Sequence, residues 1–361
     1  MFPHRAFLFA LIVGASKLFT IGCIRKIHFN GTNAGVTLLN CVCTTGWNEP
    51  EIEMANDGTV DSSANNGVAS NDTVSGTRKA IVVEGGAMRG IFASGVIDHF
   101  LEQEFHGFDF GIGVSAGGTN LTGYLSRQPG RARQAIMEYA RQKEFFSPVR
   151  FVRGGHMTDV HWLWHYTHQQ LPLAEFVGDM ELYATATHVE SGQAHYLPVT
   201  SETVHDAMVA TCAIPYFYRS PVVVNNERYV DGGVADSIPV RQAWNMGADD
   251  ITVVLSQPLG FRKTSSQSEW LLEKMFAAEA GLMNAMKFRT AQYNESLDFI
   301  NSPPEGCRVR VVAPPPEFSV SRLCMNEKKL ADGYDMGVEA ASAYLEELYA
   351  PQTDLRVVSV A

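Results

Sequence analysis

A serine between two glycines, a glycine-rich turn ahead of it and a distant aspartate are the residues of this chain best suited to chemistry. Gly113-Val114-Ser115-Ala116-Gly117 is a G-x-S-x-G pentapeptide. A serine held in a tight strand-to-helix turn takes a strained backbone, and a side chain two positions to either side would clash, so glycine stands at both. Its hydroxyl then projects at the amino end of a helix, where unpaired N–H groups and the helix dipole stabilise negative charge. That arrangement suits a nucleophile; it is also compatible with a plain glycine-rich connection. Gly85-Gly86-Ala87-Met88-Arg89-Gly90 forms a second turn. Small residues let backbone amides approach a ligand, so this loop is a candidate oxyanion hole, with Gly86 and Ala87 as donors worth roughly 3 to 4 kcal/mol each to an acyl-transfer transition state. Arg89 would fix the loop or attract anionic lipid. The competing reading is a nucleotide loop, but no Lys-Ser/Thr follows the glycines and the G-x-G-x-x-G spacing is absent.

The base that would serve Ser115 is not a C-terminal histidine. An α/β-hydrolase triad runs serine, acid, histidine along the chain, yet His205 is the last of eleven histidines and 361 − 205 = 156 residues follow it. Either a histidine acts in an unusual chain order, with His99, His106, His156, His161 and His188 as candidates, or a carboxylate does the work. Asp231 is the carboxylate that stands out, because the short run Arg228-Tyr229-Val230 delivers it into Gly232-Gly233. A simple hairpin turn is the alternative for that pair.

Taken together, Gly85-Gly86-x-x-Arg89-Gly90, Gly113-x-Ser115-x-Gly117 and Asp231-Gly232-Gly233 resemble, in order and spacing, the motifs of the patatin-like phospholipases. The approach to the acid, Ala210-Thr211-Cys212-Ala213-Ile214-Pro215 and Ser220-Pro221-Val222, resembles that family too, so the likeness covers about Arg78 to Leu255. The resemblance implies a three-layer α/β/α sandwich with a mostly parallel central sheet and a lipid ester as substrate, without cofactor or metal. It also implies a serine-aspartate dyad: Ser115 as nucleophile, Asp231 as base, Gly85 to Gly90 as oxyanion hole, and Gly113, Gly117, Gly232 and Gly233 shaping the turns. Two residues depart from the pattern. Glu84 stands where the family often has aspartate, and Ala87 replaces its third glycine; neither change removes a backbone donor. The expected activity is that of a phospholipase A or a broader lipid acyl hydrolase in peripheral contact with membranes. Alternatives are an acyltransferase using the same dyad and a non-catalytic lipid-binding protein.

These residues must be positioned by elements that the sequence also shows. Lys79 to Glu84 is a β-branched run ending at the first glycine turn, and Ile91 to Phe105 has apolar residues at helical spacing. Phe108 to Val114 and Thr119 to Leu125 repeat the strand and the helix on either side of Ser115. Such alternation implies a parallel sheet covered on both faces, with chemistry at the carboxyl ends of its strands. Leu182 to Thr187, Ile251 to Leu255 and Arg308 to Val312 read as further strands. Glu327 to Tyr349 reads as a terminal helix. Ser268 to Arg289 reads as a helix with Leu271, Met275, Leu282 and Met286 on one face, for burial or for membrane docking. His161, His165 and His168 also share a helix face, but Trp162 stands where a zinc H-E-x-x-H motif has glutamate. With Phe145, Phe146, Phe151 and Val152 that helix reads as core packing or as the wall of an acyl pocket.

Composition sets the outer bounds. Twenty-eight basic against 39 acidic side chains in 361 residues leave a net charge of −11, which argues against nucleic-acid binding. Six cysteines are too few for a disulfide scaffold. Cys41 and Cys43 lack a second pair for zinc, and Cys212, Cys307 and Cys324 read as buried thiols. Lys17 interrupts the apolar run from Ala6 to Ile24, which disfavours a spanning helix. Ala6 to Ala15 has the proportions of a signal-peptide core with Val13-Gly14-Ala15 as its cleavage site, and Thr20-Ile21-Gly22-Cys23 approximates a lipoprotein box without its leucine. Alternatively the chain starts at Met54. Ala55 to Thr77 is rich in Asn, Asp, Ser, Thr and Gly and reads as a linker. The expected divisions are therefore an extension over 1–77, a catalytic core over 78–255 and an α/β addition packed on it over 256–361. The expected location is the cytoplasm or a membrane surface, or outside the cell if the signal-like segment acts.

Overall fold

The computed structural model describes residues 77–264 and 278–350. The expectations placed on residues 1–76, on Leu271 and on Met275 lie outside the described residues. In chain order the elements are β1 (Lys79–Val83), α1 (Gly90–Glu102), β2 (Phe110–Val114), α2 (Ala116–Leu125), α3 (Arg131–Gln134), α4 (Pro148–Val152), α5 (Val160–Gln170), β3 (Glu181–His188) and β4 (Ala194–Pro198). Then come α6 (Val204–Cys212), β5 (Val222–Val224), β6 (Glu227–Asp231), α7 (Val240–Asn245), β7 (Asp250–Val254), α8 (Ala280–Asn301), β8 (Arg308–Val312) and α9 (Glu327–Tyr349).

All eight strands join one sheet in the order β5-β6-β3-β2-β1-β7-β8, with β4 also paired to β3. The five strands from β3 to β8 along that order are mutually parallel; β4 and β6 pair antiparallel with β3, and β5 pairs antiparallel with β6. Side chains of a strand alternate between faces, and β1 shows what this does. Ile81 and Val83 pack with Phe92 and Phe100 of α1, Leu121 of α2 and Tyr344 of α9, while Ala80 and Val82 pack with Val240 and Ala243 of α7 and Tyr293 and Ile300 of α8. Helices therefore cover both faces, and the fold is the expected three-layer α/β/α sandwich. The nearly continuous apolar composition of β1, β2 and β7 follows from that double burial.

Several boundaries differ from those read in the sequence. β2 begins at Phe110, α1 stops at Glu102 and α2 begins one residue after Ser115. α8 continues beyond Arg289 to Asn301. The sequence reading had no counterpart of β4, an edge strand whose residues are only partly buried and carry no clean alternation, nor of α6.

The C-terminal third is built into this frame. β8 extends the sheet beyond β7, and α9 lies on α1 at backbone contact. A Cβ placed on Gly95 would stand 2.1 Å from the Tyr334 carbonyl oxygen, and one on Gly337 would stand 2.1 Å from that of Phe92. Glycine at both positions is what allows the two helices to approach so closely, and the Tyr334 hydroxyl donates to Asp98 at 2.9 Å beside the seam. Because α1 grows directly out of the glycine turn at residues 85–90, α9 fixes the helix that carries this turn. Gly337→Ala is expected to force the helices apart and to destabilise the protein by about 2 kcal/mol or more, read as a lowered denaturation midpoint at an unchanged slope. Gly306→Ala, with nothing within 4 Å of its added carbon, tests a purely backbone effect in the same assay.

Candidate active site

Ser115 follows the last residue of β2 and caps α2 in a left-handed conformation, φ 52° and ψ −124°. For a residue other than glycine this costs of order 1–3 kcal/mol and persists only where the surroundings enforce it. They do so at close range. A Cβ on Gly113 would lie 2.4 Å from the Gly118 Cα, and one on Gly117 would lie 2.3 Å from the Val83 carbonyl oxygen on β1. The glycines at minus and plus two are thus required by the backbones packed around the turn. The Ser115 N–H donates to the Thr211 hydroxyl at 2.8 Å, which donates in turn to the Thr185 carbonyl at 2.5 Å. Thr211 is wholly buried.

Asp231 reaches the same place through the register of β3. On one edge of β3, residues 181–185 pair with β2 and end at Thr185 opposite Val114. β4 occupies the other edge from Tyr183 to Thr187, so β6, which pairs with Ala186 to His188, must take over the edge that β2 has just left. The first of those pairs sets Asp231 opposite Ala186, immediately beyond Val114. The backbone there is held on both sides: the Asp231 N–H donates to Ala213 O at 2.9 Å, and Asp231 O accepts from the Thr187 hydroxyl at 2.9 Å. Its carboxylate accepts from the Gly233 N–H at 2.8 Å and lies near enough to the Ser115 hydroxyl for that group to lower its pKa. Gly232 is packed so tightly that an added Cβ would lie 2.0 Å from the Thr185 carbonyl oxygen.

The turn at residues 85–90 borders the serine, since a Cβ on Gly85 would meet the Ser115 Cβ at 3.1 Å. Its amides divide into two groups. Met88 N–H donates to Arg322 O, Arg89 N–H to Gly86 O, and Gly90 N–H to the carbonyls of Ala87 and Met88. The N–H groups of Gly85, Gly86 and Ala87 have no such partner among the described residues and remain available to an anion. Ala87 sits at φ 49°, a left-handed position that glycine occupies without strain. Glu84 is buried and bonds outward from the loop, accepting from Ser256 N–H at 2.7 Å and from the Tyr293 hydroxyl of α8 at 3.1 Å. Arg89 is also buried; it donates to the Ser256 hydroxyl at 2.9 Å and lies 3.8 Å from Glu84. Of the two roles considered for Arg89, the structure shows the one that fixes the loop. Burial lowers its pKa to about 10.

Ser115 and Asp231 are each only 7 % exposed, and this dryness governs the electrostatics. Burial raises the Asp231 pKa, opposed by the nearby Ser115 hydroxyl, by the hydrogen bond from the Gly233 N–H and by the charges of Arg289 and Arg322. Arg289, on α8, donates to the Gly233 carbonyl at 2.7 Å, and burial lowers its pKa to about 10. Ser115 opens onto an apolar cavity bounded by Ala87 and Met88 of the glycine turn, Phe145, Phe146 and helix α5. Among the described residues no histidine lines it. Cys212 does, beside Ser115, and burial pushes its thiol pKa up. Of the three cysteines read as buried thiols, Cys324 is buried, while Cys212 and Cys307 are partly exposed as residues although burial raises the pKa of both thiols; Cys212 belongs to the site.

His161, His165 and His168 lie on the exposed face of α5, whose inner face presents Val160, Trp164 and Thr167. Among the described residues the potential metal ligands that converge are instead His188, Glu190 and Glu227, at the outer end of β3. The sequence reading also gave no role to Thr211. A hydroxyl within Ala210-Thr211-Cys212 carries no signal of its own, because only the folded chain shows the Ser115 amide and the Thr185 carbonyl on either side of it.

Comparison with known proteins identifies the family. Residues 81–244 match the patatin-like phospholipase family, and residues 279–350 match a domain of unknown function (DUF6363). The uncharacterized protein YjjU of Escherichia coli (strain K12) is 34 % identical over 270 residues, which cover 72 % of this chain and 75 % of that protein. Among solved structures, VipD from Legionella pneumophila aligns with a TM-score of 0.41 at 10 % identity, covering 75 % of this chain and 67 % of VipD. The type III effector protein ExoU aligns with a TM-score of 0.29 at 10 % identity; 75 % of this chain is covered, and it spans about half (53 %) of the ExoU chain. On its sequence matches and its motif order, the chain belongs to the patatin-like phospholipase family.

Proposed function

We propose that this protein is a lipid acyl hydrolase that works through an acyl-enzyme on Ser115, with Asp231 as the general base. The observation that carries the reading is the strand register that brings Ser115 and Asp231 to adjoining positions on one edge of β3, both buried, with the Ser115 hydroxyl near enough to hold down the pKa of the carboxyl. As the hydroxyl oxygen attacks the ester carbonyl carbon, its proton passes to Asp231, and the oxygen of the tetrahedral intermediate accepts from the free amides of Gly85, Gly86 and Ala87. Collapse expels the alcohol, which takes the proton from Asp231. Water then attacks the acyl-enzyme, giving its proton to Asp231, and the released Ser115 oxygen recovers it. Burial makes this short route workable, because a carboxylate with an ordinary pKa near 3.9 is a weak base and desolvation strengthens it. The apolar cavity beside Ser115 supplies room for an acyl chain.

Three outcomes are expected. Offered phospholipids, acylglycerols and short-chain esters, the wild-type protein releases fatty acid and Ser115→Ala does so at least about 100-fold more slowly; equal rates, or transfer of the acyl group to an added alcohol in preference to water, would count against the hydrolase reading. The rate should fall with acidity, because the base works only when ionised and its pKa is raised above 3.8. The acid limb of kcat/KM is therefore expected above pH 3.8, and its midpoint in a pH–rate profile checks this. Thr211→Val, which keeps the shape but leaves the Ser115 amide and the Thr185 carbonyl without their shared hydroxyl, is expected to cost about 1–3 kcal/mol in chemical denaturation and to lower kcat more than it raises KM.

A further inference from the structure

The cavity that holds Ser115 is lined by two arginines, Arg322, whose charge acts on Asp231, and Arg131, which ester hydrolysis leaves unused. Arg131, at the start of α3, is 5 % exposed and lines this cavity, yet no carboxylate pairs with it among the described residues. Its Nη2 donates to Leu171 O at a long 3.3 Å, its Nε is buried without an acceptor, and the guanidinium lies 5.4 Å from the Trp164 ring. Thr167 of α5, 2 % exposed, lines the same cavity with its hydroxyl also unpaired. The two are neighbours through Leu171, whose N–H donates to Thr167 O at 2.7 Å and whose carbonyl accepts from Arg131. Buried arginines are rarely left without an anion and buried hydroxyls rarely without a partner, so their coincidence in one cavity points to a ligand that pairs with both.

Position specifies the ligand further. A Cβ on Gly123 of α2 would touch the Arg131 Cβ at 4.0 Å, and Gly123 lies eight residues beyond Ser115, about 12 Å along the helix at 1.5 Å per residue. Apart from Arg131, Arg322 and a few hydroxyls the lining is apolar, with Ala132, Ala135, Ile136, Leu163 and Trp164 among it. An aliphatic segment therefore joins a reacting carbonyl at one end to an anion at the other. We propose that this cavity selects acyl groups that end in a carboxylate, with Arg131 as the anchoring cation and Thr167 as a second donor. A headgroup phosphate, joined to its ester by a few polar atoms, has no use for the apolar stretch. The proposal takes the direction of the chain from the reading of Ser115 as the acylated residue.

The test compares a nitrophenyl hemiester of a dicarboxylic acid of about ten carbons, long enough to span roughly 12 Å when extended, with the same ester capped by a methyl group. Wild type is expected to favour the free carboxylate in kcat/KM by about 30-fold, and Arg131→Met to bring the ratio to within about threefold of unity. Should Arg131→Met fail to fold, Arg131→Lys, which keeps the charge but loses the planar fork, and Thr167→Val are each expected to lower the ratio at least about threefold. A wild-type ratio near one, or a preference that survives in these variants, overturns the proposal. A second arm needs no turnover: calorimetry on Ser115→Ala with the monomethyl and dimethyl esters of the diacid. Tighter binding of the monomethyl ester that disappears when Arg131→Met is added supports the carboxylate site, even if wild type hydrolyses neither ester and the hydrolase reading fails. Equal binding, or a preference independent of Arg131, overturns it whatever the activity.

Discussion

The edge of β3 changes partner between Thr185 and Ala186, and the site depends on that change. Because β4 already fills the opposite edge, β6 can pair there only by continuing where β2 stops. The first residue of β6 to pair is Asp231, and the last residue of β2 is the one before Ser115. Residues far apart in the chain are thereby set side by side by backbone hydrogen bonds, whose register resists slippage because a shift of one residue would turn every side chain to the wrong face. Thr185 secures the junction twice, as the acceptor for Thr211 and as the carbonyl against which Gly232 packs.

The strained backbone of Ser115 is tolerated because several elements meet around it, and the C-terminal third supplies more of them than a peripheral addition would. Tyr293 of α8 holds Glu84, Arg289 of α8 holds the carbonyl of Gly233, and the Arg322 carbonyl takes the Met88 amide. α9 closes on α1 along Gly95 and Gly337. Arg322 secures the amide of Met88, the turn's own carbonyls take those of Arg89 and Gly90, and Gly85, Gly86 and Ala87 are left for a ligand. The contacts of the C-terminal third also give a reason for Glu84: its longer side chain spans from the turn to both Ser256 and Tyr293.

What the sequence conveyed follows from which constraints are local. The strand-turn-helix repeats, the glycines around Ser115 and the Asp-Gly-Gly turn are written in neighbouring residues, so fold class and candidate residues could be read directly. β4 could not, because an edge strand needs no alternating pattern, and helix ends shifted by a few residues because packing decides them. The roles of Thr211, Cys212 and Arg289 were illegible for another reason. Each acts on a partner distant in sequence, and its residue type is as common in structural positions as in functional ones. The histidines on α5 illustrate the reverse, since regular spacing marked a face that the fold turns toward solvent.

The central claim is that a buried carboxylate alone activates the serine, and the rate of covalent capture tests it most directly. Intact-mass measurement of fluorophosphonate labelling isolates the attack of Ser115 from binding of lipid and release of product. Asp231→Asn, which keeps the size of the side chain and removes its basicity, is expected to slow modification of Ser115 by about 100-fold or more, as loss of a general base does. Labelling of Ser115 in that variant at the wild-type rate would contradict the account.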